Sequence, residues 1–181
     1  MFRLIKKIFY HFKYRSEEYD SIKASNDRYL PLFIKSAVII DTCFLRHPGF
    51  KFFSQTFLTF RYRGKFHTPA KVFKELNDHK YEDGSPYARA WLDANADRLI
   101  RFDKVTATNA DVSIVKHVLD KMANRDILVL TQDRRLATAS YMQKETGIVF
   151  TNKKIRVLRL IDSRLGQLGP NDGVDQDKSK K

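Results

Sequence analysis

Two short apolar runs, each followed by an aspartate, constrain the fold of this sequence most. The first covers residues 37–40 and ends at Asp41, and the second covers residues 127–130 and reaches Asp133 three residues later. Aliphatic runs of this length predict buried parallel strands, whose carboxyl ends carry the chemistry of such sheets. Asp41 and Asp133 are therefore expected at one sheet edge, where two like charges need a proton or a cation between them. Each aspartate alone is equally well explained as the N-cap of the following helix.

The rest of the chain alternates between strand and helix patterns. This alternation predicts an α/β fold, a Rossmann-like three-layer sandwich with a central mostly parallel sheet and helices on both faces. The predicted strands cover residues 37–40, 65–68, 98–102, 127–131, 147–151 and 155–161, and helices are predicted near 70–76, 85–95, 111–123 and 133–144.

Two further acidic residues occur on predicted helices. Glu75 lies between apolar positions of the helix that follows Pro69, so it can point back toward the sheet, although a solvated surface glutamate has the same pattern. Asp111 begins the helix whose apolar positions continue to Met122, where an acid also complements the helix dipole. Neither residue indicates a site by itself.

The order of four segments is more informative than any one of them. These segments are Val38-Ile-Ile-Asp41-Thr, Thr68-Pro through Glu75-Leu, Asp111 before a helix, and Leu128-Val-Leu-Thr131-Gln-Asp133-Arg-Arg-Leu-Ala. Over residues 37–150 the chain resembles a PIN domain, the metal-dependent nuclease family that includes the ribonuclease toxins of toxin–antitoxin pairs. The resemblance implies a catalytic cluster composed of Asp41, Glu75, Asp111, Asp133 and Thr131. The alternatives to Asp111 are Asp97, Asp103 and Asp120.

Carboxylate ligands without a Cys–His cluster favour Mg²⁺ or Mn²⁺ over zinc. We expect Asp41 and Asp133 to coordinate the ion directly and Asp111 to do so directly or through water. Glu75 is expected to hold a metal-bound water for attack on an RNA phosphodiester. Thr131 is expected to orient a carboxylate or donate to substrate, and a hydroxyl satisfied locally on a strand is the alternative.

The charge of the chain agrees with a polyanionic substrate. Its 34 basic and 21 acidic residues give a formal net charge of +13, which attracts nucleic acid through the phosphate backbone. Tyr62 and Phe66 are predicted to pack in the core, with stacking on unpaired bases as the alternative. Any single basic cluster is also explained as a solvated face. The residues predicted to contact nucleic acid are Arg61, Arg63, Lys65, Arg134 and Arg135, with residues 153–159 as a further basic cluster.

A single cysteine excludes a disulfide framework within the chain and any pair of cysteine metal ligands. It predicts a reducing, cytoplasmic compartment. Cys43 itself is predicted to be a small buried hydrophobic residue. A nucleophilic thiol would need a base, and His47 is the nearest histidine, with no second group to orient it.

The ends of the chain differ in composition from its middle. Residues 1–35 are predicted to be a basic amphipathic extension that packs on the domain or a partner, with RNA and an anionic membrane surface as alternatives. Lysines interrupt its apolar residues, so it resembles neither a signal peptide nor a membrane span. Within it, residues 16–35 are predicted to be a polar connection. Residues 36–165 form the predicted nuclease domain, and residues 166–181 a disordered tail.

These observations favour a metal-dependent ribonuclease that acts as an endonuclease on RNA. The resemblance further implies a toxin with an antitoxin-like inhibitor protein, and a second copy of the chain in a homodimer is another candidate partner. The alternative is a non-catalytic PIN-like protein that binds nucleic acid within a complex. A phosphatase of the haloacid-dehalogenase type is discounted, since its second aspartate would fall at Cys43.

Overall fold

A mostly parallel sheet forms the centre of the fold. The computed structural model describes residues 16–102, 114, 126–137 and 155–168. Within these residues the strands follow the order β3-β2-β1-β4-β5-β6, and all neighbouring pairs are parallel except β5 and β6. The predicted α/β fold with a mostly parallel sheet is confirmed. The strands are β1 (Ala37–Ile40), β2 (Phe66–Pro69), β3 (Leu99–Phe102), β4 (Ile127–Leu130), β5 (Ile155–Ile161) and β6 (Arg164–Gln167).

Short helices connect these strands. The helices are α1 over 16–27, α2 (Leu30–Lys35), α3 (Thr42–Leu45), α4 (Phe50–Phe53), α5 (Ala70–Asp78), α6 (Ser85–Ala94) and α7 (Arg134–Ala137), with a π-helical segment (Ser54–Leu58) and a 3-10 helix (Ala96–Arg98). The helix predicted over 85–95 is confirmed by α6, which has a proline in its first turn. Of the helix predicted over 111–123 only Ile114 is described, and the strand predicted over 147–151 lies outside the described residues. No helix in the described part of the chain has the length and apolarity that a membrane span requires.

Both faces of β1 are buried, which explains its unbroken apolar sequence. Val38 and Ile40 belong to one core cluster, whereas Ala37 and Ile39 belong to a second cluster with residues of α7. Because side chains alternate along a strand, the two clusters lie on opposite faces of the sheet. The first cluster contains a set of aromatic side chains in mutual contact: Phe33, Phe44, Phe50, Phe53, Phe57, Tyr62, Phe66 and Trp91.

The predicted polar connection over residues 16–35 is wrong, because the segment forms helices α1 and α2. Pro31 is tolerated because it lies in the first turn of α2, where a missing N–H costs nothing. Phe33 is 1% exposed and packs edge-to-face on Phe57, so α2 contributes to the core of the domain. Tyr19 and Ile22 are three positions apart, as on one face of a helix, and this spacing is the sequence signal for α1. Residues 1–15 lie outside the described part of the chain.

Strand β6 was not predicted and extends past residue 165, where we placed the end of the domain. Gly166 is part of β6, and Leu168 is buried, so the boundary at the start of the predicted tail is wrong. The β5–β6 hairpin is held by Asn26 of α1, whose side-chain amide donates to the Ser163 carbonyl at 3.0 Å and accepts from the Leu165 amide at 2.7 Å. Residues 169–181 lie outside the described part.

Candidate active site

The candidate site lies at the carboxyl edge of the sheet, where the parallel strands end. Strand β1 is bonded to β2 on one side and β4 on the other, so the strand order reverses between β1 and β4. The Asp41 amide donates to the Leu130 carbonyl at 3.1 Å, which aligns the ends of these two strands. Ligand sites of open parallel sheets form at such reversals, because the loops there diverge and leave a crevice.

Asp41 is 3% exposed and accepts hydrogen bonds on both carboxylate oxygens. The Thr42 amide donates to Oδ1 at 2.6 Å, so Asp41 also caps α3 as the alternative interpretation predicted. The Cys43 thiol and the Thr131 hydroxyl each lie 2.8 Å from Oδ2. Burial raises the pKa of Asp41 above its ordinary value, although these three hydrogen bonds act in the opposite direction.

Glu75 lies near Asp41 because α5 directs it back toward the sheet edge. Its Oε2 accepts a hydrogen bond from the Thr42 hydroxyl at 2.5 Å, and the side chain is half-buried. The negative charge of Glu75 adds to the effect of burial in raising the pKa of Asp41. The structure therefore brings Asp41 and Glu75 together, and a cation or a proton between them would relieve their repulsion.

Thr131 connects Asp41 to Asp133. Its fully buried hydroxyl donates to Asp41 and accepts the Asp133 amide at 2.9 Å. The carboxylate of Asp133 is half-buried and accepts the Arg135 amide at 2.7 Å, so Asp133 caps α7. Both strand-end aspartates thus serve as helix caps while they remain at the same edge of the sheet.

Cys43 belongs to the site, which our prediction of a small hydrophobic residue missed. Its sulfur accepts the Gln132 amide at 3.0 Å and lies 3.1 Å from the Thr131 hydroxyl oxygen. Burial, followed by the charge of Asp41, raises the pKa of the Cys43 thiol, which keeps it neutral and able to donate. His47 accepts the Gly49 amide on Nδ1, which weakens the case for a Cys–His nucleophile. The first turn after an N-cap faces the cap, which is the sequence signal that could have identified Cys43.

Gln132 is a further residue of the site that the sequence analysis did not single out. It follows Thr131 in the β4–α7 connection, and its side-chain amide donates to the Leu160 carbonyl at 3.1 Å. This bond ties the connection to β5, the neighbouring strand. Gln132 therefore helps to hold the segment that carries Thr131 and Asp133.

The predicted basic residues divide between the two edges of the sheet. Arg134 and Arg135 are exposed on α7, directly after Asp133 at the carboxyl edge. The segment 61–65 precedes β2 and therefore lies at the amino edge, where the parallel strands begin. A four-residue strand is about 13 Å long, so Arg61, Arg63 and Lys65 lie away from the acids, and their predicted contact with nucleic acid stays a prediction. Asp97 precedes β3 and therefore also lies at the amino edge, so it is excluded as an alternative to Asp111 in the acidic site.

The acidic side chains at the carboxyl edge are of the kind that coordinates a hard cation. Asp41, Glu75 and Asp133 offer carboxylate oxygens, which Mg²⁺ and Mn²⁺ prefer. Within the described residues no group of three acidic, histidine or cysteine side chains is arranged to hold a metal, and Asp111, the predicted third ligand, lies outside them. Neither the protein-family models nor the curated proteins that we compared with this chain match it.

Proposed function

We propose that this protein is a metal-dependent ribonuclease of the PIN type. The observation that carries the proposal is the buried Asp41 carboxylate, linked through Thr131 to Asp133 at the reversal of strand order and placed beside Glu75. A buried acid with a like charge nearby and a raised pKa is a frequent property of active sites. The net charge of +13 supports a polyanionic substrate.

The finer architecture that we infer is a Rossmann-like three-layer sandwich. Its support is the strand order together with buried clusters on both faces of β1. In such a sandwich the helices after β1 and β4 would begin beside the crevice. Asp41 and Asp133, which cap these helices, would then face a ligand in that crevice.

We assign Asp41, Asp133 and Asp111 as ligands of one Mg²⁺ or Mn²⁺. The ion would supply a polarised water and offset the charge that develops on the phosphodiester. Thr131 and Cys43 hold Oδ2 of Asp41, so they fix the direction in which this carboxylate points. A nearby cation also favours the ionised form of Asp41, against the effect of burial on its pKa.

Glu75 orients the attacking water in this proposal. The water oxygen bonds to phosphorus, the bond between phosphorus and the departing ribose oxygen breaks, and the products are two shorter strands. The proton of the water passes to Glu75, and the departing oxygen takes a proton from solvent. The Thr42 hydroxyl donates a hydrogen bond to Glu75, so it restricts the rotation of this general base.

The wider role that we propose combines the PIN resemblance with the basic charge and the single cysteine of the chain. It is that of a cytoplasmic endonuclease that acts on RNA, with a toxin of a toxin–antitoxin pair as one form. An antitoxin-like protein would then inhibit the enzyme, and a second copy of the chain would form a homodimer with it.

A second function is favoured by a specific observation. Both strand-end aspartates already accept backbone amides as helix caps, so neither position needs a cation to satisfy its carboxylate. This observation suits a non-catalytic PIN-like protein that binds nucleic acid in a complex. In such a protein, replacing Asp41 or Asp133 would destabilise the helix that each of them caps, and there would be no catalysis to lose.

Cleavage of mixed cellular RNA and single-stranded DNA by the purified chain, with Mg²⁺ or Mn²⁺ and after a high-salt wash to remove inhibitor, tests the proposal. Asp41→Asn and Asp133→Asn should abolish cleavage while circular dichroism shows that both variants are folded. Asp97→Asn makes the same change at an exposed residue before β3 and should cleave normally. Bound but intact nucleic acid with every metal would instead support the non-catalytic function.

A further inference from the structure

A pocket of about 460 Å³ lies at the amino edge of the sheet, opposite the acidic site. It is bounded by α2, by the segment 61–65 and by the beginnings of β1, β2 and β3. Its apolar wall includes Ile34 and Ile100, which are 69% and 37% exposed. Exposed apolar side chains in a concave surface are available to contact a ligand.

Three cationic side chains form the rim of this amino-edge pocket. Arg61, Arg63 and Lys65 are all exposed and all line the pocket. Arg61 pairs with Asp27 at 2.9 Å, whereas within the described residues Arg63 and Lys65 form no salt bridge. None of the described residues that line the pocket is acidic. Among the residues that the structure describes, the pocket therefore presents positive charge without acidic partners for Arg63 and Lys65, beside apolar surface.

The rim is held in place from beneath by Arg98. Its guanidinium donates to three backbone carbonyls within residues 58–64. These are the carbonyls of Leu58 at 3.2 Å, Tyr62 at 2.6 Å and Gly64 at 3.2 Å. The same guanidinium lies 5.1 Å from the centre of the Phe66 ring. Charged donors to backbone oxygens are strong hydrogen bonds, so the cations of the rim are carried on a preorganised segment.

We propose that the amino-edge pocket binds a nucleotide of single-stranded RNA, as a contact separate from the acidic site. Arg63 and Lys65 would hold phosphates, and a base would cover Ile34 and Ile100. This proposal rests on the proposed ribonuclease function and identifies where part of its substrate is held. Roughly 13 Å separates the two sheet edges along the strands, so one RNA strand would reach both by passing around the edge of the domain.

A nucleic acid fits these features better than an acidic peptide does. Phe60 immediately precedes the rim and is 69% exposed, so it offers a ring on which a second base can stack. Planar bases alternate with phosphates at short spacing, which matches the apolar wall of the pocket beside the cationic side chains of Arg63 and Lys65. A peptide composed only of acidic residues would engage the charges without covering the apolar surface.

Fluorescence anisotropy of labelled oligouridine with the full chain in EDTA tests this contact without cleavage. Arg63→Ala/Lys65→Ala should weaken binding and lower the slope of log affinity against log salt by about 1.4, since each phosphate contact on single strands contributes about 0.7. Between about 50 and about 200 mM salt the parent would then lose about seven times more affinity than the double variant. Ile34→Glu, at an exposed position, should also weaken binding. Lys80→Ala/Arg89→Ala removes equal charge from exposed positions elsewhere and should change the slope little.

The outcomes separate this inference from the proposed function. If Arg134→Ala/Arg135→Ala weakens binding while both pocket variants bind like the parent, the inference is wrong and the ribonuclease proposal stands. If the parent binds no oligouridine, the pocket proposal is contradicted, and the cleavage assay with metal decides the ribonuclease proposal independently. Polyglutamate serves as a competing ligand. If polyglutamate displaces the oligonucleotide, binds the parent with the same affinity as oligouridine and fails to bind Ile34→Glu, the pocket would be assigned to an acidic protein instead.

Discussion

Replacing Thr131 by valine removes the hydroxyl that joins the two strand-end aspartates while it preserves the shape of the side chain. Thr131 is fully buried, donates to Asp41 at 2.8 Å and accepts the Asp133 amide at 2.9 Å. A hydrogen bond to a charged group contributes about 1.5 to 3 kcal/mol, and the amide of Asp133 also loses its acceptor. We therefore expect the free energy of unfolding to fall by about 2 to 3 kcal/mol.

Urea unfolding followed by far-ultraviolet circular dichroism at neutral pH measures this loss. In thermal unfolding of a chain of this length, a loss of 1 kcal/mol in stability lowers Tm by about 2 to 4 °C. The Tm of the valine variant should therefore fall by roughly 4 to 12 °C. Thr131→Ser is the matched control, because it keeps the hydroxyl and loses only a methyl group, worth about 0.8 kcal/mol. The serine variant should be the more stable of the two.

A valine variant as stable as the serine variant, or more so, would refute the reasoning. That result would mean that the hydroxyl contributes nothing net to the acidic site, either because Asp41 is neutral and weakly bonded or because water replaces the hydroxyl. An unchanged dependence on urea concentration across the three proteins is needed for the comparison, since it shows that unfolding exposes the same surface in each.

Three further perturbations test other parts of the structure. Burial raises the pKa of Asp41 from its ordinary 3.8, so the folded chain holds this proton more tightly, and the stability that Asp41 contributes is full below about pH 4 and is lost as the pH rises through the folded pKa. Asp41→Asn should accordingly gain stability relative to the parent as the pH rises in urea titrations, and a constant difference would contradict this account. Asn26→Ala should cost about 2 to 3 kcal/mol, because it leaves two backbone groups of the β5–β6 hairpin without partners, and amide exchange in β6 should accelerate. Gly49→Ala should lower Tm, since an added Cβ would lie 1.4 Å from the Asp162 carbonyl oxygen, whereas Gly166→Ala, which meets only a side-chain end at 2.9 Å, should lower it less.

Local pattern was sufficient to predict the elements that carry the candidate site. The runs before Asp41 and Asp133 were predicted as strands because four consecutive aliphatic residues can be buried on both sides only within a covered sheet. The position of Glu75 on α5 followed from the apolar positions around it. The capping interactions were also foreseen, since an aspartate that ends a strand can accept the first free amides of the next helix.

The sequence also contained information about the basic residues that our prediction did not use. Lys65 directly precedes β2, and a residue before a parallel strand lies at the amino edge. The direction of the chain therefore separates Arg61, Arg63 and Lys65 from the acids. Charge alone does not separate these three residues from Arg134 and Arg135, because it carries no information on which end of a strand a residue occupies.

The sequence alone was enough to predict β1, β4 and the aspartates that follow them, because these features depend on residues within one short segment. Tertiary structure decided which segments meet. The pairing of β1 with β4 places Thr131 on Asp41, 90 positions away, and the hairpin is held by Asn26, 137 positions from Ser163. Such contacts depend on strand order and on side-chain packing across the whole domain, and many alternative pairings satisfy the same local pattern. The thiol of Cys43 is the clearest case, since the Gln132 amide that its sulfur accepts lies in the connection that follows β4, 89 positions further along the chain.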